Sequence, residues 1–323
     1  MPRNEFAIVG AGAIGSIIAA HLVRSGHTVA VLARGRRAQQ LQTDGLRITG
    51  LSEISTKVNV LTDPSQLREA GTLIIATKTP GSEATLKQLS HVQLDAALSI
   101  QNGVLKDELL TRTFGANRTL GALADTSGEL LASGDVMFTR NVSLFVGELS
   151  GELSERAKNI VKAIDDSGVR ASLVPDIVSR EWSKYSCWLG FACLSLTTRA
   201  VTWRYLSDPD AALLLVRLTR EVAALAKAQG ITLTEDRALL PLEIVVNAAE
   251  AEAVATIQAM GARYQSTAPE HRMSALQDLL AGRPLEIEET LGYAVRKGEQ
   301  LRVPMPLLNA FYHTVRAIDR TRA

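Results

Sequence analysis

Cysteine is nearly missing from this chain. Cys187 and Cys193 are the only two, and both fall in one apolar segment. That placement fits neither a zinc site nor a disulfide framework, so both are expected as reduced core residues of a cytoplasmic protein. An excess of one charge is missing too. The formal net charge is +1, which gives no long-range field to hold nucleic acid or an anionic membrane. Any basic site must be local. His21, His27, His91, His271 and His313 show no metal-ligand spacing, so no metal is expected. No uncharged apolar run reaches the roughly 18 residues of a membrane span. The chain enters a strand directly after MPRNE, without an apolar signal core, and no repeat or low-complexity tract occurs. What remains is globular sequence, 46% hydrophobic over 323 residues, long enough for two domains.

The first part alternates short apolar runs with helical patterns. Strands are expected at Phe6–Val9, Thr28–Leu32, Thr72–Ala76, Ala97–Ile100, Thr119–Ala124 and Ser143–Val146, with Ala171–Val174 as a further candidate. Strands spaced by helices imply a parallel, doubly wound sheet. Strand signals then stop. Arg180–Thr197, Asp208–Ala228, Pro241–Ala262, Leu285–Gly298 and Pro306–Arg322 read as helices, with Gly230 and Gly298 as stops. The expected architecture is α/β plus all-α: a Rossmann-type sheet domain over 1–178 and a helical domain over 179–323. The helices between 208 and 262 either pair between subunits of a homodimer or form the intramolecular core.

Gly10-Ala11-Gly12-Ala13-Ile14-Gly15 lies between a strand and a helix, and a second strand follows. In that context each glycine has a steric reason. The first allows the tight turn, the second lets backbone approach a pyrophosphate, and the third lets the helix pack on the sheet. The amides at the helix start, including those of Ala13 and Ile14, suit an anion. At the end of the second strand an acid would hold the ribose 2′-hydroxyl of NAD. Here Arg34, Arg36 and Arg37 occupy that region. Guanidinium groups bind a 2′-phosphate that a carboxylate would repel, so NADP(H) is favoured and Arg34 is the best placed. The plainer alternative is a solvated arginine cluster on a loop.

Several blocks, in order, give the chain its resemblance to the ketopantoate reductase family. They are IVGAGAIGS, IIATKTP around Lys78, SIQNGV, EWSKYSCWLGFACLSLTTRA, REVAALAKAQGITL, HRMSALQDLLAGRPLEIEETLGYAVRKG and VPMP. The resemblance implies a Rossmann domain, a helical domain and an active site in the cleft between them. It implies reduction of 2-dehydropantoate to pantoate with NADPH, a step of pantothenate biosynthesis. It assigns the catalytic lysine to Lys184 of Trp182-Ser183-Lys184, the substrate carboxylate to Ser274 and an active-site acid to Glu286. Lys78 and Asn102 match positions at strand ends that border the ligand crevice, Lys78 toward the cofactor and Asn102 toward nicotinamide and substrate. The chemistry is coherent. Hydride arriving at a carbonyl carbon leaves charge on oxygen, and an ammonium stabilises that charge and donates the proton.

The chain departs from the family pattern at one place. Two asparagines that line the substrate pocket, one and two turns after the lysine, are replaced by Trp188 and Ala192. A site without those amides should prefer the hydroxylated acid less strongly. Either other groups, such as Ser195 or Thr197, bind ketopantoate, or the substrate is a more apolar 2-oxo acid or ketone, with Trp188 in its wall. A third reading, from another class, is a non-catalytic NADPH-binding sensor. Such a protein would need neither Lys184 nor Glu286.

Overall fold

The computed structural model describes residues 3–236 and 238–322. Its strands are β1 (Asn4–Val9), β2 (Val29–Leu32), β3 (Leu46–Gly50), β4 (Ile54–Thr56), β5 (Asn59–Leu61), β6 (Glu69–Ile75), β7 (Gln93–Ser99), β8 (Thr119–Leu130), β9 (Val136–Glu148) and β10 (Ala171–Leu173). Its helices are α1 (Ala13–Arg24), α2 (Gly35–Asp44), α3 (Ser82–Leu89), α4 (Leu105–Phe114), α5 (Glu155–Asp166), α6 (Ile177–Thr198), α7 (Thr202–Ser207), α8 (Pro209–Ala228), α9 (Leu242–Asn247), α10 (Glu250–Thr267), α11 (Ser274–Leu280), α12 (Leu291–Leu301) and α13 (Pro306–Thr321). Two compact units result. One takes the chain up to Asn102 together with Lys106–Ile177, and the other takes Gly103–Leu105 and the chain from Val178 on.

The first unit is a sheet ordered β4-β3-β9-β8-β7-β6-β1-β2-β5, with β10 on β9. β1 pairs in parallel with β2 and β6, and β6 with β7. Strands covered on both faces read as continuous apolar runs, which is why VAVL of β2 is buried throughout. The sheet expected as parallel is parallel at β1, β2, β6 and β7 but not throughout. β8 and β9 are an antiparallel pair, and so are β3 and β4. Only the buried parts of β8 and β9 carry an apolar signal. Their distal halves, such as Ser127–Leu130 and Thr139–Asn141, are half-exposed or exposed, so they read as loop. β4 and β5 span three residues each, too short to leave a pattern.

In the second unit α6, α8 and α13 fall close to their expected ranges. Asp208 caps α8 by accepting from the amides of Asp210 and Ala211 at 3.1 and 2.9 Å, ahead of Pro209 in the first turn. The helix expected over Pro241–Ala262 is two helices, α9 and α10. Arg220 donates to the carbonyls of Val245 and Ala248 at 2.8 and 2.7 Å, and so supplies partners for carbonyls that a continuing helix would have used. The helix expected from Leu285 starts at Leu291 instead. Leu285 and Ile287 are buried while Glu286 is half-buried and Glu288 exposed, an alternation of period two that belongs to extended chain. Gly298 is no stop, since it lies inside α12. A Cβ there would stand 2.6 Å from the Met305 sulfur, so the glycine serves packing. The stop is Arg302, at φ +57°.

Candidate functional site

The glycine turn of the first unit is shaped by contact. Gly10 has φ +105°, and a Cβ on it would lie 2.8 Å from Thr77. A Cβ on Gly15 would lie 2.1 Å from the Gly10 carbonyl oxygen. Gly12 is different, because a Cβ there would meet nothing within 4 Å. That open space lies directly over the start of α1, whose first turn carries no acidic residue. The amides of Ala13, Ile14 and Gly15 have no acceptor within the helix, as at any helix start. The cradle therefore fits a pyrophosphate.

The three arginines after β2 divide their work. Arg37 is half-buried and donates to the Ala11 carbonyl at 2.9 Å, the Ser16 hydroxyl at 2.9 Å and the Gly134 carbonyl at 2.6 Å. It fastens the glycine turn, and burial lowers its pKa. Arg34 and Arg36 are exposed. Arg34 stands immediately ahead of α2 and donates to the neutral Gln88 side-chain oxygen at 2.7 Å. Bonds from Ser65 hold the Asp63 carboxyl below its ordinary pKa, and the Arg34 charge is near enough to help.

Lys78 and Asn102 follow the carboxyl ends of β6 and β7, Lys78 exposed and Asn102 half-buried. Gln101 ties these two strand ends together. Its buried amide nitrogen lies 3.1 Å from the Thr77 hydroxyl, 3.0 Å from the Lys78 carbonyl and 2.7 Å from the Ser82 hydroxyl, and its oxygen accepts from Ser99 at 3.0 Å. Sequence reasoning singled out Asn102 and passed over Gln101. The available signal was an amide directly behind a buried strand, where a polar side chain must find partners.

In the second unit Lys184 lies on α6. From Glu181 to Leu196 every residue is buried except Lys184, which is half-buried. Tyr185 is fixed beside it. Its hydroxyl donates to the Thr290 carbonyl at 2.8 Å, and its ring meets Trp182 edge-on at 5.6 Å between centroids. Burial pushes the Tyr185 phenol pKa up. Trp188 and Ala192, one and two turns on, are 7% and 1% exposed and sit in an apolar cluster with Leu276, Leu279, Leu285 and Ile287. No amide is present on that face. Ser195 is fully buried and donates to the Ala192 carbonyl at 3.0 Å, and Thr197 donates to the Cys193 carbonyl at 2.8 Å.

Ser274 opens α11 and is exposed. The cap position is Met273, without a side-chain bond, so the Ser274 hydroxyl is not used as a cap. Asp278 is buried and faces Arg283 at 3.5 Å. Glu286 is half-buried in the extended stretch ahead of α12, where its carbonyl accepts from the Thr290 hydroxyl. His271 bonds the Thr202 hydroxyl at 2.8 Å. Cys187 and Cys193 are both free and buried, and burial raises Cys187 to about 12. Among the described residues no cluster could hold a metal ion, and no helix is long and apolar enough to cross a membrane.

Residues 6–151 match the family model of ketopantoate reductase PanE/ApbA, and residues 176–319 match that of its C terminal. The 2-dehydropantoate 2-reductase of Archaeoglobus fulgidus is 28% identical, over 97% of this chain and 97% of that one. The crystal structure of a PanE/ApbA family ketopantoate reductase from Ralstonia eutropha JMP134 superposes with a TM-score of 0.82 at 23% identity, covering 98% of both chains. A D-mandelate dehydrogenase solved with NADH and anilino(oxo)acetate gives 0.82 at 20% identity, again over 98% of both. At these identities the structures share the fold.

Proposed function

Because the chain belongs to the ketopantoate reductase PanE/ApbA family and is an oxidoreductase acting on a CH–OH group, we propose that it reduces a 2-oxo acid to the 2-hydroxy acid with NADPH, 2-dehydropantoate being the default substrate. The observation that carries this reading is Lys184, the single break in an otherwise buried stretch of α6. A half-buried amine in an otherwise buried stretch suits a group that must meet a bound ligand.

The glycine turn takes the pyrophosphate over Gly12, and Arg34 takes the 2′-phosphate. Asn102 and Lys78 border the ligand at the strand ends. Bound nicotinamide supplies a hydride to C2 of the substrate. The Lys184 ammonium donates to the ketone oxygen and then gives up its proton as charge builds there. The exposed Ser274 hydroxyl donates to the substrate carboxylate. Glu286, near the lysine in this reading, favours the protonated amine against desolvation.

A second substrate reading rests on Trp188 and Ala192. Their burial in an apolar cluster favours a 2-oxo acid with an apolar or aromatic side chain. The D-mandelate dehydrogenase of the same fold was solved with such a ligand. A panel of 2-oxo acids followed by NADPH absorbance, in the wild type and in the Trp188→Asn/Ala192→Asn variant, decides between them. High activity on 2-dehydropantoate that the variant does not improve supports the default. Activity confined to apolar acids supports the second. Absence of turnover with every acid tested removes both.

A further inference from the structure

The helical unit carries a groove of about 600 Å³ whose lining residues include none of those placed at the substrate. Three arginines line it, Arg199, Arg204 and Arg272, against one acid, Glu270. Trp203 and Leu280 add apolar wall, and Leu280 is 60% exposed.

Arg199 has the least expected geometry. It follows the last residue of α6 at φ +54°, in the left-handed region, and its amide donates to the Ser195 carbonyl at 3.0 Å. Helices commonly stop this way with glycine, because a side chain is strained there. An arginine at this position accepts that strain, yet its exposed guanidinium has no hydrogen-bond or ion-pair partner among the described residues. Arg204 lies over the Trp203 ring at 5.5 Å from its centroid and has no carboxylate partner among the described residues. Arg272 meets Glu270 at 3.8 Å, with both side chains exposed, a pair of little strength. The groove therefore gathers three like charges and a strained residue, with the exposed carboxylate of Glu270 as the one internal anion among its lining residues.

We propose that this groove binds a small organic anion whose phosphate or carboxylate group is joined to a flat or apolar body. The arginine forks take the anionic oxygens. Trp203 and Leu280 take the body. Such a ligand matches both halves of the lining, whereas a bare inorganic anion would use only one.

Phenyl phosphate is the probe, titrated calorimetrically into the full-length protein at low ionic strength, with inorganic phosphate and phenol as controls. One saturable site is expected, tighter for phenyl phosphate than for either control. Arg199→Gly should weaken it about tenfold, the loss of one charged hydrogen-bonding group. The same variant should keep or raise the melting temperature, since glycine relieves the strain. Arg204→Gln should weaken binding similarly, while Lys184→Ala leaves it intact. The proposal fails if no saturation is seen, if phosphate binds as tightly as phenyl phosphate, or if Arg199→Gly binds like the wild type. It also fails if binding disappears in Arg34→Ala, because the anion then sits on the other unit. A protein inactive toward every 2-oxo acid would leave these outcomes unchanged, so this site and the proposed reaction stand or fall separately.

Discussion

Lys184→Ala removes the one side chain between Glu181 and Leu196 that is not buried. Packing should change little, while the oxyanion loses its proton donor. The expected result is a fall in kcat of about 10²–10⁴-fold, with NADPH binding by fluorescence unchanged. Equal kcat in the two proteins would remove Lys184 from the chemistry. Gln101 acts at one remove. Its amide holds the backbone at Lys78 and the hydroxyls of Thr77 and Ser82, so it is a positioning residue. Gln101→Glu keeps the shape but replaces the donors with an acceptor. We expect a KM for NADPH raised about tenfold or more, since breaking buried bonds costs about 1–3 kcal/mol. Gln101→Asn should not rescue it, because the shorter side chain cannot span both strand ends. Arg34→Ala carries the cofactor preference. KM for NADPH should rise and KM for NADH should stay level, and a parallel rise in both would assign Arg34 to the pyrophosphate or to the fold instead.

Among elements, the turn from β1 into α1 separates folding from binding within a few residues. Gly15→Ala drives a methyl to 2.1 Å from the Gly10 carbonyl oxygen. Backbone must shift, and a loss of about 2–4 kcal/mol is expected in chemical denaturation. Gly12→Ala meets nothing within 4 Å. Its stability should stay within about 1 kcal/mol of the wild type, while dinucleotide affinity falls because the methyl occupies the space of the phosphate. A Gly12→Ala protein that binds NADPH normally would contradict the cradle. This turn was legible in the sequence because local sterics dictate its glycines. The helix that carries Lys184 was legible too, as an apolar stretch from Arg180 to Thr197. Other features were hidden. Arg37 read as one of three like arginines, and only folding shows it bonded to Ala11 and Ser16. The break between α9 and α10 depends on Arg220, far away in the chain, so no local pattern announces it. The β8–β9 pairing is antiparallel where alternation with helices implied parallel strands, because the exposed half of that hairpin carries no periodic signal.

For the molecule as a whole, a net charge of +1 keeps general charge repulsion small near neutrality. Its response to mild acid should then come from particular groups. His21 is buried, with Nδ1 at 2.8 Å from the Ser167 carbonyl and Nε2 at 2.9 Å from the Ser52 hydroxyl. The carbonyl partner requires a proton on Nδ1, which donates to Ser167, and when the ring is neutral Nε2 accepts from the Ser52 hydroxyl. Burial is the largest influence and lowers its pKa below the ordinary 6.5; the Ser167 bond opposes this and Arg24 adds to it. Burial lowers His271 likewise. In both cases the unfolded chain takes the proton more readily. Their stabilisation is complete above the unfolded value and is lost as pH falls through the folded one. Glu148 acts at lower pH. Burial, the largest influence, raises its pKa, but bonds from Arg156 and Ser154 outweigh it and hold the group below 4.5. Its stabilisation is full above that value and disappears as pH falls through the folded pKa. Melting temperature at constant ionic strength should therefore fall in two stages, one beginning near the ordinary histidine pKa and one below the ordinary carboxylate pKa. His21→Gln/His271→Gln should flatten the first stage and leave the second. Glu148→Gln should leave the first stage and lessen the second, to which Glu5, Asp63 and Glu250 also contribute, whatever each variant costs in absolute stability. A first stage as steep in the double variant as in the wild type would show that neither histidine is the acid-sensitive group.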